Sequence, residues 1–431
     1  MNAVAPLPPS LSRLHAAFSQ HGGATMPVRQ QAFNQFLQRG FPTTRDEHWK
    51  YTQLRRLEAR EFAVGRPDAA YNLTSPATDT YQLVFVDGFY RASLSTLPDN
   101  PDVVIRSLAA LTDDPATLAR ALGITANDTS RFAGLNTALT QDGVLIEVAA
   151  NTALDKPVVL KFVWSNAEHS LMAHPRIVIQ MGTHSKLCVV EQYQGEDSQT
   201  AHFTNAVTTL QLASGAQLEH CRVQNENSSS FHIGLIHAEL AAQSSLISHQ
   251  INFGAALARI DINALLQGNE ASITLNGLQF ASGAQHQDTH TRVEHCVPHT
   301  RSNEDYRGIA DQRSRVVFNG KVVVAEKAIK TDAQQSSRNL LLANTAEIDT
   351  KPELEIYNDD VKCAHGATVG QLDANALFYL RSRGLSEAQA RALLTHAFAD
   401  HIIAQLPVAA LREQLTTAGH ARFGATLEVG V

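Results

Sequence analysis

From Leu83 to about residue 370, this chain of 431 residues reads as a succession of short β-type runs set apart by turn residues. Runs such as LKFVW, RIVIQM, KLCVVEQY, AVTTLQLA, HIGLIHAEL, SITLNGLQF and VVFNGKVVV recur roughly every 10 to 15 residues. Gly182, Gly215, Gly254, Gly268 and Gly283 fall between them, and the tripeptide SGA occurs twice at turn positions. This spacing suits a sandwich, a barrel or a solenoid. Two features favour the solenoid. Asn-Gly, the usual hairpin signal, occurs inside runs (Asn276-Gly277, Asn319-Gly320), and the pattern continues for about 200 residues without a domain break. A parallel β-helix meets both conditions, because each coil buries its strands against its neighbours. The expected fold is mainly β, with a parallel β-helix core over residues 76–370. A helical insertion near 106–124 interrupts that core, an N-terminal helical domain (1–75) precedes it, and a C-terminal one (371–431) follows.

The flanking segments carry helix signals. Leu11, Leu14 and Phe18 share one face, and after the Gly22-Gly23 break Pro27 stands where a helix can begin, with Phe33, Phe36 and Leu37 as its stripe. Gly40-Phe41-Pro42 ends it, and Trp49 and Tyr51 read as packing anchors. At the other end Asp373 is placed to cap a helix containing Leu377, Phe378 and Leu380, which Gly384 terminates. Ser386 and Gln389 have capping-box spacing ahead of a helix whose apolar face is Leu394, Phe398 and Ile402. Pro407 starts a third helix with Leu411 and Leu415. This terminal unit is either a cap on the solenoid end or a docking surface.

Charge and composition exclude several function classes. The formal net charge is −7, which argues against a nucleic-acid binder carried by bulk charge. Charged residues are 18% against a usual roughly 25%, and apolar residues are 44%, as in a well-buried globular protein. The start lacks a basic n-region and an apolar run of signal-peptide length, and no stretch approaches about 18 uninterrupted apolar residues. A cytoplasmic protein that neither enters a membrane nor binds nucleic acid is expected. The P-loop, G-x-G-x-x-G after a strand, G-x-S-x-G and H-E-x-x-H patterns are all absent. Asp113-Asp114 and Asp359-Asp360 are adjacent pairs, and adjacent carboxylates diverge on a strand.

The four cysteines, Cys188, Cys221, Cys296 and Cys363, are too far apart for a local zinc or iron–sulfur motif. His290, His295, Cys296 and His299 lie close together, but His295 and Cys296 point to opposite faces of an extended strand, as do His220 and Cys221. Cys363 and His365 differ in kind. Two residues apart, they share a face and can approach one metal together. Two ligands are too few for a stable tetrahedral site, so the pair either draws further ligands from a second chain or is a capping loop with a partly exposed Cys and His.

The stretch KPELEIYNDDVKCAHGATVGQLDANALFYLRSRGLSEAQARALLTHAF resembles the SufB/SufD family of iron–sulfur cluster assembly proteins. The resemblance continues through RSRVVFNGKVVVAEKAIKTDAQQSSRNLLLAN and GLQFASGAQHQDTHTRVEHCVPHTRSNEDYRG, and reaches EHWKYTQL and LVFVDGFY near the N-terminus. It implies a right-handed parallel β-helix between helical domains, and a non-catalytic scaffold subunit. It also implies partners: a SufB heterodimer mate joined through the β-helices, and the SufC ATPase bound through the C-terminal helical region, together forming a SufBC2D scaffold. Where SufB carries its assembly cysteine in F-Y-C-R-x-R-G, this chain reads FYLRSRG with Leu380, so it resembles the SufD branch.

By the same resemblance, His365 matches the histidine of the KC-x-HG string that helps hold a nascent cluster at the SufB interface, and Cys363 is an auxiliary ligand. Leu394, Phe398 and Ile402 are expected to form the SufC contact or its supporting core. The cofactor expected is a transient Fe-S cluster shared with SufB, none being held stably by this chain alone; reduced flavin belongs to the whole complex if to any part of it. A homodimer is an alternative for the isolated chain, since its β-helix edges are open to self-pairing. The competing classes are a β-helix polysaccharide-active enzyme, which calls for an export signal and a basic groove, and a homo-oligomeric structural β-helix.

Overall fold

A computed structural model describes residues 7–20, 26–71, 79–123, 130–165, 167–195 and 200–423. The Gly22-Gly23 break lies outside the described residues. Within them the β runs form a solenoid of two sheets, one of 11 strands and one of 10. From strand Arg176–Met181 onward successive strands alternate between the sheets, so each pairs with the strand one coil earlier and, up to the last coil, one coil later. In the first sheet Phe203 is in register with Phe231, Phe231 with Leu257, Leu257 with His286, and His286 with Arg315, all in parallel. The coil thus takes roughly thirty residues, two strands of up to ten and two turns. Asn276-Gly277 and Asn319-Gly320 lie inside strands Ser272–Ala281 and Arg315–Val324 and so make no hairpin turn, whereas Asp87-Gly88 near the start joins the antiparallel strands Tyr81–Val86 and Phe89–Tyr90. The turns fall at the SGA tripeptides, where Gly215 and Gly283 adopt φ of 68° and 63°.

Between the sheets, alternate residues of every strand fill the interior. The early coils are apolar, with Leu83, Phe85, Val144, Ile146, Leu160, Ile177, Ile179 and Val189 in one cluster. Later coils place polar side chains there, among them Glu191, His220, Arg222, Gln250, Glu304 and Gln335, all buried. The opening coil holds the insertion, a 3-10 turn at Leu108–Leu111 and a helix at Pro115–Leu122 capped by Asp114. A second helix, Arg131–Leu139, was not expected from the sequence; it is buried on every side from Phe132 to Leu139, Asn136 and Thr137 included, so it shows no face pattern.

The flanking helices lie on the sides of the solenoid. Helices Pro9–Gln20 and Pro27–Arg39 pack with Arg131–Leu139 over Phe203, Phe231, Ile233 and Leu257 of the first sheet. Trp49 fixes this arm: the Arg259 guanidinium sits 4.0 Å from its ring centroid and binds Asp261 and Asp288 at 2.7 Å each. The capping box at Ser386 and Gln389 is present, and it opens helix Glu387–Ile403, which packs with Ala409–Phe423 on the outer face of the second sheet. That face is apolar because the strands alternate hydrophobic residues on both sides, with Val190, Val223, Ile251, Phe253, Leu278 and Ile309 pointing outward. The C-terminal helices therefore cover a flank and leave the end of the solenoid uncapped.

Close packing of the interior predicts a cost at Gly277. A Cβ there would lie 2.1 Å from Cδ1 of the fully buried Tyr306 ring, which stacks on Phe318 at 4.5 Å. Gly277→Ala should lower stability by about 1–3 kcal/mol through overpacking, read as a shift of the urea midpoint with unchanged m-value. An unshifted midpoint would show that the interior yields at this coil.

Candidate functional site

The last coil consists of strands Glu347–Ile356 and Lys362–Gly370, which are the outermost strands of the two sheets. Each uses one side of its backbone to pair with the coil before it, and no strand among the described residues pairs with the other side. The two edges differ in chemistry. Glu347–Ile356 is guarded by charge and proline, with Lys351 bonded to Glu353 at 2.8 Å, Arg315 to Asp349 at 2.6 Å, and Pro352 at its middle. Lys362–Gly370 has no charge after Lys362 and is built of Ala364, Gly366, Ala367 and Gly370 around His365. It is a flat edge of small residues, about 30 Å long, without the features that usually blunt edges.

Exposed apolar side chains surround this end. Tyr357 is 64% exposed, Ile356 and Val369 are 41% and 44% exposed, and on helix Ala374–Ser382 Phe378 and Tyr379 are 74% and 58% exposed. The helix expected to hold Leu377, Phe378 and Leu380 is present, with Asp373 as its cap. No residue of that helix is buried, although Leu372 just before it packs on the apolar cluster beneath the C-terminal helices. Leu380 is half-buried on it.

Cys363 and His365 share a face, and that face is the interior one. Cys363 packs against Val322, Val324, Ala328 and Ala333. His365, two residues on, stands in register over Gln335, itself 4% exposed. His365 is exposed only because no further coil lies above it. Burial pushes the Cys363 thiol above its ordinary range, a backbone hydrogen bond involving Ala333 opposes the rise, and Asp332 adds to it. At neutral pH the thiol therefore keeps its proton unless a metal displaces it. Among the described residues no three His, Cys, Asp or Glu side chains converge as a metal site, so none of them adds a third ligand to the pair.

The other histidine and cysteine candidates are dispersed. His295 faces the interior and bonds Thr300 and Ser302 at 2.8 and 2.9 Å, whereas His290 lies outside, 3.0 Å from Asp288 beneath the N-terminal arm. His220 is interior, 3.1 Å from Glu191, and Cys221 is buried under the C-terminal helices. On helix Glu387–Ile403, Ile402 is fully buried against the second sheet and Phe398 lies under the Arg307 guanidinium at 4.9 Å, while Leu394 is half-buried.

Sequence reading missed the polar side chains beneath His365. Glu304 is 1% exposed and accepts hydrogen bonds from Thr291 Oγ1 at 2.6 Å and Gln335 Nε2 at 3.0 Å. Burial, against those two bonds, pushes its carboxyl up to about 7. The signal lay in the coil register, which stacks Glu304, Gln335 and His365 in one column, and alternation within single strands does not reveal it.

Fold and site define a class: a parallel β-solenoid flanked by helices, with a bare edge and a His/Cys pair at its open end. Residues 162–398 match the SufBD core domain of SUF-system FeS cluster assembly, and residues 13–160 match the SufBD protein N-terminal region. The chain is 32% identical over 426 residues to the iron–sulfur cluster assembly protein SufD of Escherichia coli, covering 98% of this chain and 97% of that one. It is 35% identical over 390 residues to an iron–sulfur cluster assembly SufBD family protein of Synechocystis, covering 87% and 86%. A SufBD family protein of Mycobacterium tuberculosis is 27% identical over 385 residues, covering 88% of each chain. The chain belongs to the SufBD family and has a role in iron–sulfur cluster assembly. Among the described residues no helix is long and apolar enough to cross a membrane.

The Glu304 carboxyl yields a test of the interior. Its folded value lies above the ordinary 4.5, so the stability it contributes is present below pH 4.5 and lost as pH rises through about 7. Glu304→Gln keeps an acceptor for Gln335 on its amide oxygen, and its amide nitrogen donates to Thr291 Oγ1 instead of accepting from it, without titrating. It should stabilise the chain at pH 8 by on the order of 3 kcal/mol and leave it nearly unchanged at pH 4.5. Equal melting temperatures of variant and wild type at both pH values would show that Glu304 is hydrated.

Proposed function

We propose that this chain is the SufD-type, non-catalytic scaffold subunit of the SUF machinery, and that its uncharged edge pairs with the corresponding edge of a SufB paralogue. One observation carries the reading: the unpartnered strand Lys362–Gly370 has His365 next to its midpoint. Antiparallel pairing of such a strand about a pseudo-two-fold axis puts its middle residues beside that axis, where ligands from both chains meet. The guarded Glu347–Ile356 edge and the exposed Tyr357, Val369 and Phe378 supply a polar side and an apolar side to the same interface.

The nascent Fe-S cluster is cargo in this scheme. His365 contributes an imidazole nitrogen, a weaker donor than thiolate, and Cys363 is an auxiliary ligand whose thiol must first give up its proton. A cluster held by few ligands from each side of a dissociable interface is released more readily than one held by four thiolates in a single chain. ATP hydrolysis lies in SufC, which binds the C-terminal helices. Leu394 belongs to that contact, with Phe398 and Ile402 as its supporting core. Arg307 donates to the Phe398 carbonyl at 2.9 Å, and Arg391 to that of Leu342 at 2.8 Å, so force on helix Glu387–Ile403 reaches the strands of the last coils. The complex works in the cytoplasm, and reduced flavin enters only as a component of the whole assembly. The same edge favours a homodimer when the chain is alone.

Two measurements test this. His365→Ala should leave the complex intact and lower cluster formation on it at least tenfold, with loss of cluster-dependent enzyme activities in cells; normal cluster formation would remove His365 from the site. Val369→Lys places a charge at the rim of the open end. It should weaken association with SufB at least tenfold in analytical ultracentrifugation without moving the melting temperature of the single chain, and undiminished association would assign the interface to another surface.

A further inference from the structure

The column under His365 ends in an unused hydrogen-bonding atom. Gln335 is 4% exposed, and its Nε2 donates to Glu304 Oε1 at 3.0 Å. Glu304 is in turn held by Thr291 Oγ1 at 2.6 Å, from the opposite sheet. The side chain crosses the interior so closely that a Cβ on Gly320 would lie 2.2 Å from Gln335 Nε2. With its amide nitrogen fixed in this way, Gln335 leaves Oε1 buried and without a hydrogen-bond partner among the described residues. Orphaned buried acceptors are uncommon, because each has lost its hydrogen bond to water without gaining another. The next inward residue on the ladder above it is His365. In-register neighbours of a parallel sheet stand about 4.8 Å apart, within reach of an imidazole N–H.

We propose that Gln335, anchored by Glu304, is a positioning residue for His365: its amide oxygen accepts one imidazole N–H, fixes the tautomer, and turns the other ring nitrogen out of the open end. This deepens the proposed function and rests on His365 as a ligand. A metal-binding histidine commonly has its second nitrogen held by a carbonyl or carboxylate, which sets ring orientation and donor strength. Here the holding group is an amide oxygen, and its own orientation is set one coil deeper by a carboxylate that does not touch the histidine. Glu304 accepts from Gln335 whether or not it carries a proton on Oε2, so the arrangement does not depend on its titration.

The experiment combines histidine-15N NMR of the full-length chain with cluster formation on the complete complex. In wild type His365 should show a single tautomer at pH 8. Gln335→Met, close in volume but without an acceptor, should give a mixed population and slow cluster formation about 10- to 100-fold, the usual cost of losing a partner that orients a metal ligand. Glu304→Leu should reproduce both effects by releasing Gln335, and Glu304→Gln should show neither. If Gln335→Met does not fold, Gln335→Asn, which draws the amide back by one methylene, serves in its place. A wild-type tautomer in Gln335→Met or its replacement overturns the inference, even where His365→Ala stops cluster formation. If His365→Ala leaves cluster formation intact, the ligand reading fails instead, and the tautomer measurement still decides whether Gln335 orients the ring.

Discussion

Backbone pairing between residues roughly thirty positions apart is the interaction on which this molecule depends. Each strand of the solenoid satisfies half of its N–H and C=O groups on the coil before it and half on the coil after it, so no coil is complete alone. The requirement passes down the chain and stops at the last coil, where strands Glu347–Ile356 and Lys362–Gly370 have pairing on one side only. An unfinished ladder is an aggregation hazard unless charge blunts it or a partner covers it. One strand of this end is blunted and the other is not, and the family's role in iron–sulfur cluster assembly gives the bare strand a use.

The same geometry explains where the chemistry sits. Parallel in-register stacking turns inward positions into columns, so a polar side chain in one coil must find its partner in the coil above, in the coil below, or across the interior. Glu304, Gln335 and His365 form such a column, and Ser337 meets Thr350 across the gap at 2.9 Å. At the first coils this space is filled with Leu, Val, Ile and Phe, and it becomes polar toward the open end. The helices follow from the outer faces: both sheets carry apolar residues outward, and the N- and C-terminal helical segments cover one each.

Much of this was legible in the residues. The Asn-Gly pairs inside runs and the glycines between them point to a solenoid because a hairpin needs its turn residues between strands. The capping box at Ser386 and the proline at the head of Pro27–Arg39 mark helix starts by local chemistry alone. The shared face of Cys363 and His365 follows from their spacing. Helix Arg131–Leu139 was illegible because it is buried nearly all round, and the exposure of Phe378 was illegible because an apolar side chain looks the same in sequence whether or not anything covers it. The polar column beneath His365 was out of reach because Glu304 and Gln335 join it only once the lengths of two intervening turns are known.

By itself the sequence determined a periodic β chain with helical ends, a place in the SufBD family, and a histidine and a cysteine on one face of a strand. Those properties are local or nearly so: turn chemistry, alternation and caps act over a few residues. Only the tertiary structure decided that the C-terminal helices lie along the second sheet, that the solenoid end stays bare, and that the shared face of Cys363 and His365 is the interior one. These depend on which surfaces remain once the coils have stacked. A run that is apolar on both sides demands cover without stating where the cover comes from, and register across thirty residues is set by the packing of whole coils.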